Sequence, residues 1–275
     1  MQTGPQFAML VTVHNRKDKT ISFLKAVEQL ATYINLFVIL VDDGSIDGTA
    51  QEIEKQNFEL KIEVIYGDGN LFFAGGMRKA FSVLARRNYD FMIVCNDDIA
   101  LDNLKLMSQL SVYLEYSSGG VFVGQFTDCE GKITYGAWKS KARFFRTPVE
   151  RCFRSECVAT FNMNFVIIPK TIILKFGFIK EYFRHTLADF ELGFRYSKVG
   201  INFFLSEPIG HCLHNSDKNT SNDRNLHVVK RLKRFNSVKE QPYLIRMRYL
   251  LDVEGFRGIL LFLLPYIKII IGKKK

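Results

Sequence analysis

Phe91-Met92-Ile93-Val94-Cys95-Asn96-Asp97-Asp98-Ile99 runs five apolar residues straight into two adjacent carboxylates. An unbroken apolar run of this length reads as a parallel strand buried on both faces. Open α/β sheets bind ligands at the carboxyl ends of such strands. Two negative charges placed there are costly to bury without a cation beside them. A hard divalent cation, Mn²⁺ or Mg²⁺, held by Asp98 and Asp97 and by substrate phosphates, would satisfy both conditions. The plainer role for an Asp after a strand is a turn or a helix N-cap.

Working outward, strand and helix patterns alternate. Phe7–Val13, Phe37–Val41 and Ile62–Tyr66 are apolar runs. Between and after them, Thr20–Ala31, Gly48–Gln56 and Gly75–Asn88 have helical spacing, as does Asp102–Tyr116 beyond Cys95. This rhythm predicts βαβ units and an α/β fold with a mostly parallel central sheet flanked by helices. After Val121–Gln125 the rhythm changes. Gly131–Tyr135 reads as a hairpin strand, Thr160–Ile168 as a longer strand stopped by Pro169, Ala188–Val199 as a helix and Ile201–Leu205 as a strand. The expected organisation is one folded domain over residues 1–217, followed by a helical tail over 218–275.

At 275 residues the chain can bury one sizeable core, and 47% hydrophobic with 24% charged residues is ordinary for a globular protein. The net charge of +10 is unevenly placed. Residues 1–217 carry 24 Lys and Arg against 24 Asp and Glu, whereas 218–275 carry 14 against 4. The tail also holds Ile259–Ile267 and Ile269–Ile271, apolar stretches interrupted by Pro265 and Lys268 and too short to span a bilayer. Apolar residues beside a basic cluster suit a segment lying on an anionic membrane surface. A helix covering the core is the simpler alternative, and no nucleic-acid-binding motif is present, so no nucleic-acid partner is expected. The five cysteines lack metal-ligand spacing, and Met1–Leu10 lacks the basic and apolar regions of a signal peptide. Reduced thiols and no signal peptide point to a cytoplasmic protein, and the tail to one peripheral on the inner face of the cell membrane.

Two more strand ends carry polar loops. Val41-Asp42-Asp43-Gly44-Ser45 closes the second strand. A carboxylate there, Asp43, can accept a hydrogen bond from the imide N–H of uracil or thymine. Gly69-Asn70-Leu71-Phe72-Phe73-Ala74-Gly75-Gly76 follows the third strand and opens a helix. Its paired glycines would let backbone N–H groups approach a phosphate or ribose.

Together these residues resemble the family 2 glycosyltransferases, from about Ala8 to Asn215. Thr12-Val13-His14-Asn15-Arg16 is similar to that family's first nucleotide loop, and Asn96-Asp97-Asp98 to its Asp-x-Asp signature with Asn at the first position. Gly69-Asn70-x-Phe72-x-Ala74-Gly75-Gly76, Asn162-x-Asn164 and His185-x-x-x-Asp189-Phe190 resemble a bacterial surface-polysaccharide branch, with Ala188 where an acidic residue is usual. The resemblance implies a GT-A nucleotide-diphospho-sugar transferase fold, with residues 1–217 as the catalytic domain, 1–101 its nucleotide-binding half and 102–217 its acceptor-side half. It also implies donor contacts from Thr12, Val13, Asn15, Arg16, Asp43, Asn70, Gly75, Gly76, Asn96 and Asp97. The metal would be held by Asp98 and Asp97, with His214 after the last core strand as a further ligand. The acceptor side would include Asn162, His185 and Glu191, and Asp189 would be the general base.

The expected activity is inverting transfer of a sugar from a UDP- or dTDP-sugar to a glycan or lipid-linked acceptor in bacterial surface polysaccharide synthesis. One alternative is a sugar-nucleotide pyrophosphorylase, although Val13-His14-Asn15-Arg16-Lys17 lacks the glycine-rich phosphate loop that chemistry requires. Another is a non-catalytic membrane adaptor, which would have no need of both Asp98 and Asp189. Asp189 could serve only as a helix cap, and Glu191 and Arg195 could form an ordinary i,i+4 pair.

Overall fold

A computed structural model describes residues 4–116, 119–212 and 219–271. The first half follows the expected alternation: β1 (Gln6–Val13), α1 (Lys17–Leu30), β2 (Asn35–Asp42), α2 (Thr49–Lys55), β3 (Ile62–Tyr66), α3 (Phe72–Leu84) and β4 (Phe91–Cys95). Next come β5 (Ala100–Leu101), α4 (Asn103–Tyr116), β6 (Val121–Thr127), β7 (Ile133–Tyr135), β8 (Ala137–Ser140) and β9 (Val149–Arg151). They lead to β10 (Thr160–Phe161), β11 (Phe165–Pro169), α5 (Lys170–Phe176), α6 (Ala188–Lys198) and β12 (Phe203–His211). The chain continues through α7 (Val228–Phe235), α8 (Tyr243–Glu254), α9 (Gly258–Phe262) and α10 (Leu264–Ile271).

The main sheet has the order β3-β2-β1-β4-β11-β6-β12-β5, with β7 against β6. β3, β2, β1 and β4 are mutually parallel, so the carboxyl ends of β1, β2 and β4 share one edge. β11 enters antiparallel between β4 and β6, which makes the second half mixed rather than parallel. Core residues alternate strictly along β1. Ala8 and Leu10 face α3, while Phe7, Met9, Val11 and Val13 pack with α1 and α4. Both faces are therefore covered, as an uninterrupted apolar strand requires.

Three sequence expectations change. The single strand read over Thr160–Ile168 is two strands, because Thr160 and Phe161 pair with β8 in a separate three-stranded sheet whereas Phe165 onward pairs with β4. Asn162 and Asn164 sit in the break. The helix read from Gly75 starts at Phe72, because the Asp43 carboxylate accepts the N–H groups of Leu71 and Phe72 and so caps it from another loop. The tail is also divided. Tyr249, Leu250 and Val253 of α8 belong to the core that contains α6 residues Leu192 and Phe194. Side chains of this kind each contribute about 1.5–3 kcal/mol when fully buried, so α8 is part of the folded body. Glu254 ties its end to Thr147, and Asp252 accepts from Lys180 at 2.8 Å. Beyond Glu254 the large apolar side chains turn mostly outward, with Phe256 88% and Leu260 71% exposed. No helix among the described residues is long and apolar enough to cross a membrane.

Candidate active site

Three strand ends meet at the sheet edge. From β1, Asn15 takes a left-handed backbone (φ 52°), and its side chain accepts from Ile46 N while its own N–H donates to Ser45 Oγ. His14 Nδ1 donates to the Asp43 carbonyl at 2.6 Å. The first and second loops are thus laced into one wall. Val13 is buried, and its carbonyl receives the Asp43 N–H.

At the end of β4, Asp97 is buried and Asp98 partly exposed. Asp97 Oδ2 accepts from Thr20 Oγ1 at 2.8 Å and Oδ1 from Arg16 Nη1 at 3.1 Å. The same Arg16 nitrogen donates to Asp98 Oδ2 at 3.0 Å. Burial raises the Asp97 pKa against the pull of Thr20 and Arg16. Asp98 Oδ1 is buried and has no hydrogen-bond partner among the described residues. That orphaned anionic oxygen at the ligand edge is what a divalent cation would take, so the residues fit one. Among the described residues, no group of three His, Cys, Asp or Glu converges as a ready-made metal cage. Two carboxylates with the remaining positions filled by phosphate and water is the usual Mg²⁺ arrangement. Asn96 donates its backbone N–H to Asn164 O, joining β4 to the 162–164 break. Cys212 Sγ lies 3.6 Å from the Asp98 carbonyl, while His211 pairs with Thr127 Oγ1. His214, expected as a metal ligand, lies outside the described residues.

Two expected donor contacts require correction. Gly75 and Gly76 are buried within α3, and the Gly75 N–H is bonded to Leu71 O. A Cβ on Gly76 would lie 2.4 Å from the Thr12 side chain, so this glycine lets α3 pack on β1 instead of approaching a phosphate. Asp43 carries a load absent from the sequence reading. Its carboxylate accepts from Gly69, Leu71 and Phe72 N–H groups, leaving about one of four acceptor sites for a base imide. Asn70 is exposed, and its carbonyl accepts from Arg184 Nη2.

On the acceptor side, Asp189 stands in the first turn of α6, entered through Leu187 at φ 66°. Its Oδ1 accepts the Phe190 N–H, and Asn162 Nδ2 lies 3.5 Å from Oδ2. Burial pushes the Asp189 carboxyl up to about 6, with these donors opposing the rise. Trp138 Nε1 donates to Asn162 Oδ1 at 2.8 Å and so fixes which end of that amide faces Asp189. His185 packs against Phe72, and its buried Nδ1 has no partner among the described residues. Burial, then Lys239 and Arg16, push its pKa down to about 4, so the ring is neutral near pH 7. Glu191, expected on the acceptor side, is corrected to a buried structural residue. It lies about 200° around the helix from Asp189, pairing with Lys180 and with Arg195 at 3.0 Å each.

Thr20 and Trp138 were not singled out by sequence. The only signal for Thr20 is a polar residue on the apolar face of α1. Trp138, the one tryptophan, gave no signal of its partner.

The family profile described as glycosyl transferase family 2 matches residues 9–183. Among solved structures, TarS (residues 1–349) from S. aureus in complex with UDP-GlcNAc is 14% identical with a TM-score of 0.59, over 96% of this chain and 72% of that one. A mannosyltransferase, PcManGT from Pyrobaculum calidifontis, in complex with GDP-Man and Mn²⁺, is 12% identical with a TM-score of 0.55, over 96% and 76%. No curated protein sequence matches. At these identities the structural likeness speaks for the fold, which is the GT-A arrangement.

Proposed function

The chain belongs to glycosyl transferase family 2, and from that premise we propose that it is an inverting, metal-dependent transferase. It moves a sugar from a UDP- or dTDP-sugar to a glycan or lipid-linked acceptor in bacterial surface polysaccharide synthesis. The observation that carries the mechanism is Asp189, partly buried and poised with a pKa of about 6. A general base works best with a pKa near the operating pH. In this reading Asp189 takes the proton of the acceptor hydroxyl as that oxygen attacks the anomeric carbon from the face opposite the diphosphate. Asp98, with Asp97 behind it, would hold Mn²⁺ or Mg²⁺, which when bound stabilises charge on the departing diphosphate. The first-loop residues Thr12 to Arg16 and the Asp43–Asn70 region line the donor, while Asn162 and neutral His185 face the acceptor side. Support for a uridine donor comes from the likeness to TarS with UDP-GlcNAc, and for the metal from PcManGT with Mn²⁺.

A thermal-shift panel of uridine, thymidine and guanosine diphospho-sugars, with and without Mn²⁺, tests this reading. A UDP- or dTDP-sugar should stabilise the protein most, and more so with Mn²⁺. Asp98→Ala should erase that Mn²⁺-dependent increment while leaving the protein folded. Equal donor responses with and without Mn²⁺ in the unaltered protein would rule out the metal role.

The pH profile offers a second check. Because Asn162 holds the Asp189 pKa down, Asn162→Ala should move the acid limb of kcat/KM to higher pH. Trp138→Phe, which frees the Asn162 amide, should move it the same way by less. An unmoved acid limb in both variants would separate Asn162 from the base.

We also place the protein at the inner membrane face, held by the outward apolar side chains beyond Glu254 and by the basic residues around them.

A further inference from the structure

We propose that Arg16 is a resident counter-ion of the Asp97–Asp98 pair, which metal and donor must displace together, so that divalent-cation binding is conditional on the nucleotide. The inference rests on the reading of Asp98 as a cation ligand. A single nitrogen, Arg16 Nη1, serves both carboxylates, at 3.1 Å from Asp97 Oδ1 and 3.0 Å from Asp98 Oδ2. This is not the two-pronged fork an arginine forms with one carboxylate. It places a positive charge between two acids, as a small cation would be placed.

The three side chains differ in freedom. Asp97 is held on its other oxygen by Thr20, whose backbone N–H bonds the Arg16 carbonyl, so one turn of α1 supplies both donors to Asp97. Asp98 is held through Oδ2 alone among the described residues, where Oδ1 has no hydrogen-bond partner. The Arg16 side chain is 44% exposed and has solvent to swing into. The guanidinium offsets the charge that the two carboxylates would otherwise leave uncompensated at the sheet edge. A divalent cation arriving alone at Asp98 would meet that guanidinium at close range, a like-charge contact that disfavours binding. A nucleoside diphosphate changes the balance twice. Its phosphate oxygens complete the cation's shell, and they offer the displaced guanidinium an anionic, planar-matched partner. Metal and nucleotide are then positively coupled through Arg16, with each raising the affinity of the other.

The test is Mn²⁺ binding, followed by the electron paramagnetic resonance signal of free Mn²⁺, for the unaltered protein and Arg16→Gln, each without nucleotide and with UDP. Arg16→Gln should bind Mn²⁺ alone about tenfold or more tighter than the unaltered protein, and UDP should tighten it further by a smaller factor. Adding Asp98→Asn to Arg16→Gln should remove the gained affinity, which locates it at that carboxylate. If Mn²⁺ alone binds the two proteins equally, the counter-ion role is overturned. A measurement without any variant guards against a misfolded Arg16→Gln. In the unaltered protein, Mn²⁺ alone should leave the melting temperature unchanged, while Mn²⁺ with UDP should raise it beyond UDP alone. Full stabilisation by Mn²⁺ alone also overturns the proposal. If neither protein binds Mn²⁺ even with UDP, the metal reading itself fails, whereas binding with UDP that is indifferent to Arg16 defeats only this inference.

Discussion

Asp189→Asn should lower turnover by about 10²–10⁴-fold, the usual contribution of a general base, and at the same time make the protein more stable above pH 6. The substitution keeps the size of the side chain and an oxygen to accept the Phe190 N–H, so donor binding should be unaffected. The stability gain follows from the raised pKa. Burial lifts Asp189 from its ordinary 3.8 to about 6, so the folded chain holds this proton more tightly than the unfolded chain. Below the ordinary value both states are protonated and nothing is lost. Between the two values the folded state pays an increasing penalty for ionising, complete above about 6, and stability declines as pH rises through that window. The span corresponds to about 3 kcal/mol at 1.36 kcal/mol per pKa unit, an order-of-magnitude figure. Asparagine never ionises and escapes the penalty. Urea unfolding at pH 4 and pH 8 should show Asp189→Asn gaining on the unaltered protein only at the higher pH. Activity within a few-fold of the unaltered enzyme would reject the base and return Asp189 to a capping role. An equal stability difference at both pH values would reject the buried-charge account.

Replacing Phe256, Leu260 and Leu263 with Glu should release the protein from anionic vesicles. All three side chains are more than half exposed, so the fold does not need them. Burying such a side chain is worth about 1.5–3 kcal/mol, so losing three should weaken partitioning by about 10³-fold or more. The basic residues of the tail, including Arg257 and Lys268, add about 1 kcal/mol each near an anionic surface. High salt alone should therefore weaken binding only in part. Deleting residues 256–275 would be a poorer test. Ile269 is buried, Arg231 donates to its carbonyl, and Tyr266 bonds Asn236, so the deletion would also uncover α7. Transfer to a short soluble acceptor should persist in the Glu variant. Failure of the unaltered protein to co-sediment with anionic vesicles at low salt would leave this face to another partner.

The sequence by itself determined the parallel half of the sheet, the polar strand ends and the helix that carries Asp189. Each of these is written locally. A run such as Phe91–Cys95 reports burial on both faces, and the chain's own direction then puts Asp97 and Asp98 at the ligand edge. The Glu191–Arg195 pair was legible for the same reason, since four residues on a helix are neighbours wherever the helix lies. Which way that pair faced was not legible, because the choice depended on Lys180 and on α8 packing beside it. Asp43 shows the same limit. Its position at a strand end could be read, but its partners 26 to 29 residues away could not. The break at Asn162–Asn164 arises because flanking residues join different sheets, a matter of pairing that no run of apolar residues records. Only the tertiary structure decided that the cation beside Asp97 and Asp98 is Arg16, 81 residues away in the chain. Periodicity encodes which surface of an element is buried, whereas partners across the fold follow from strand order and register, which place distant side chains within hydrogen-bond reach.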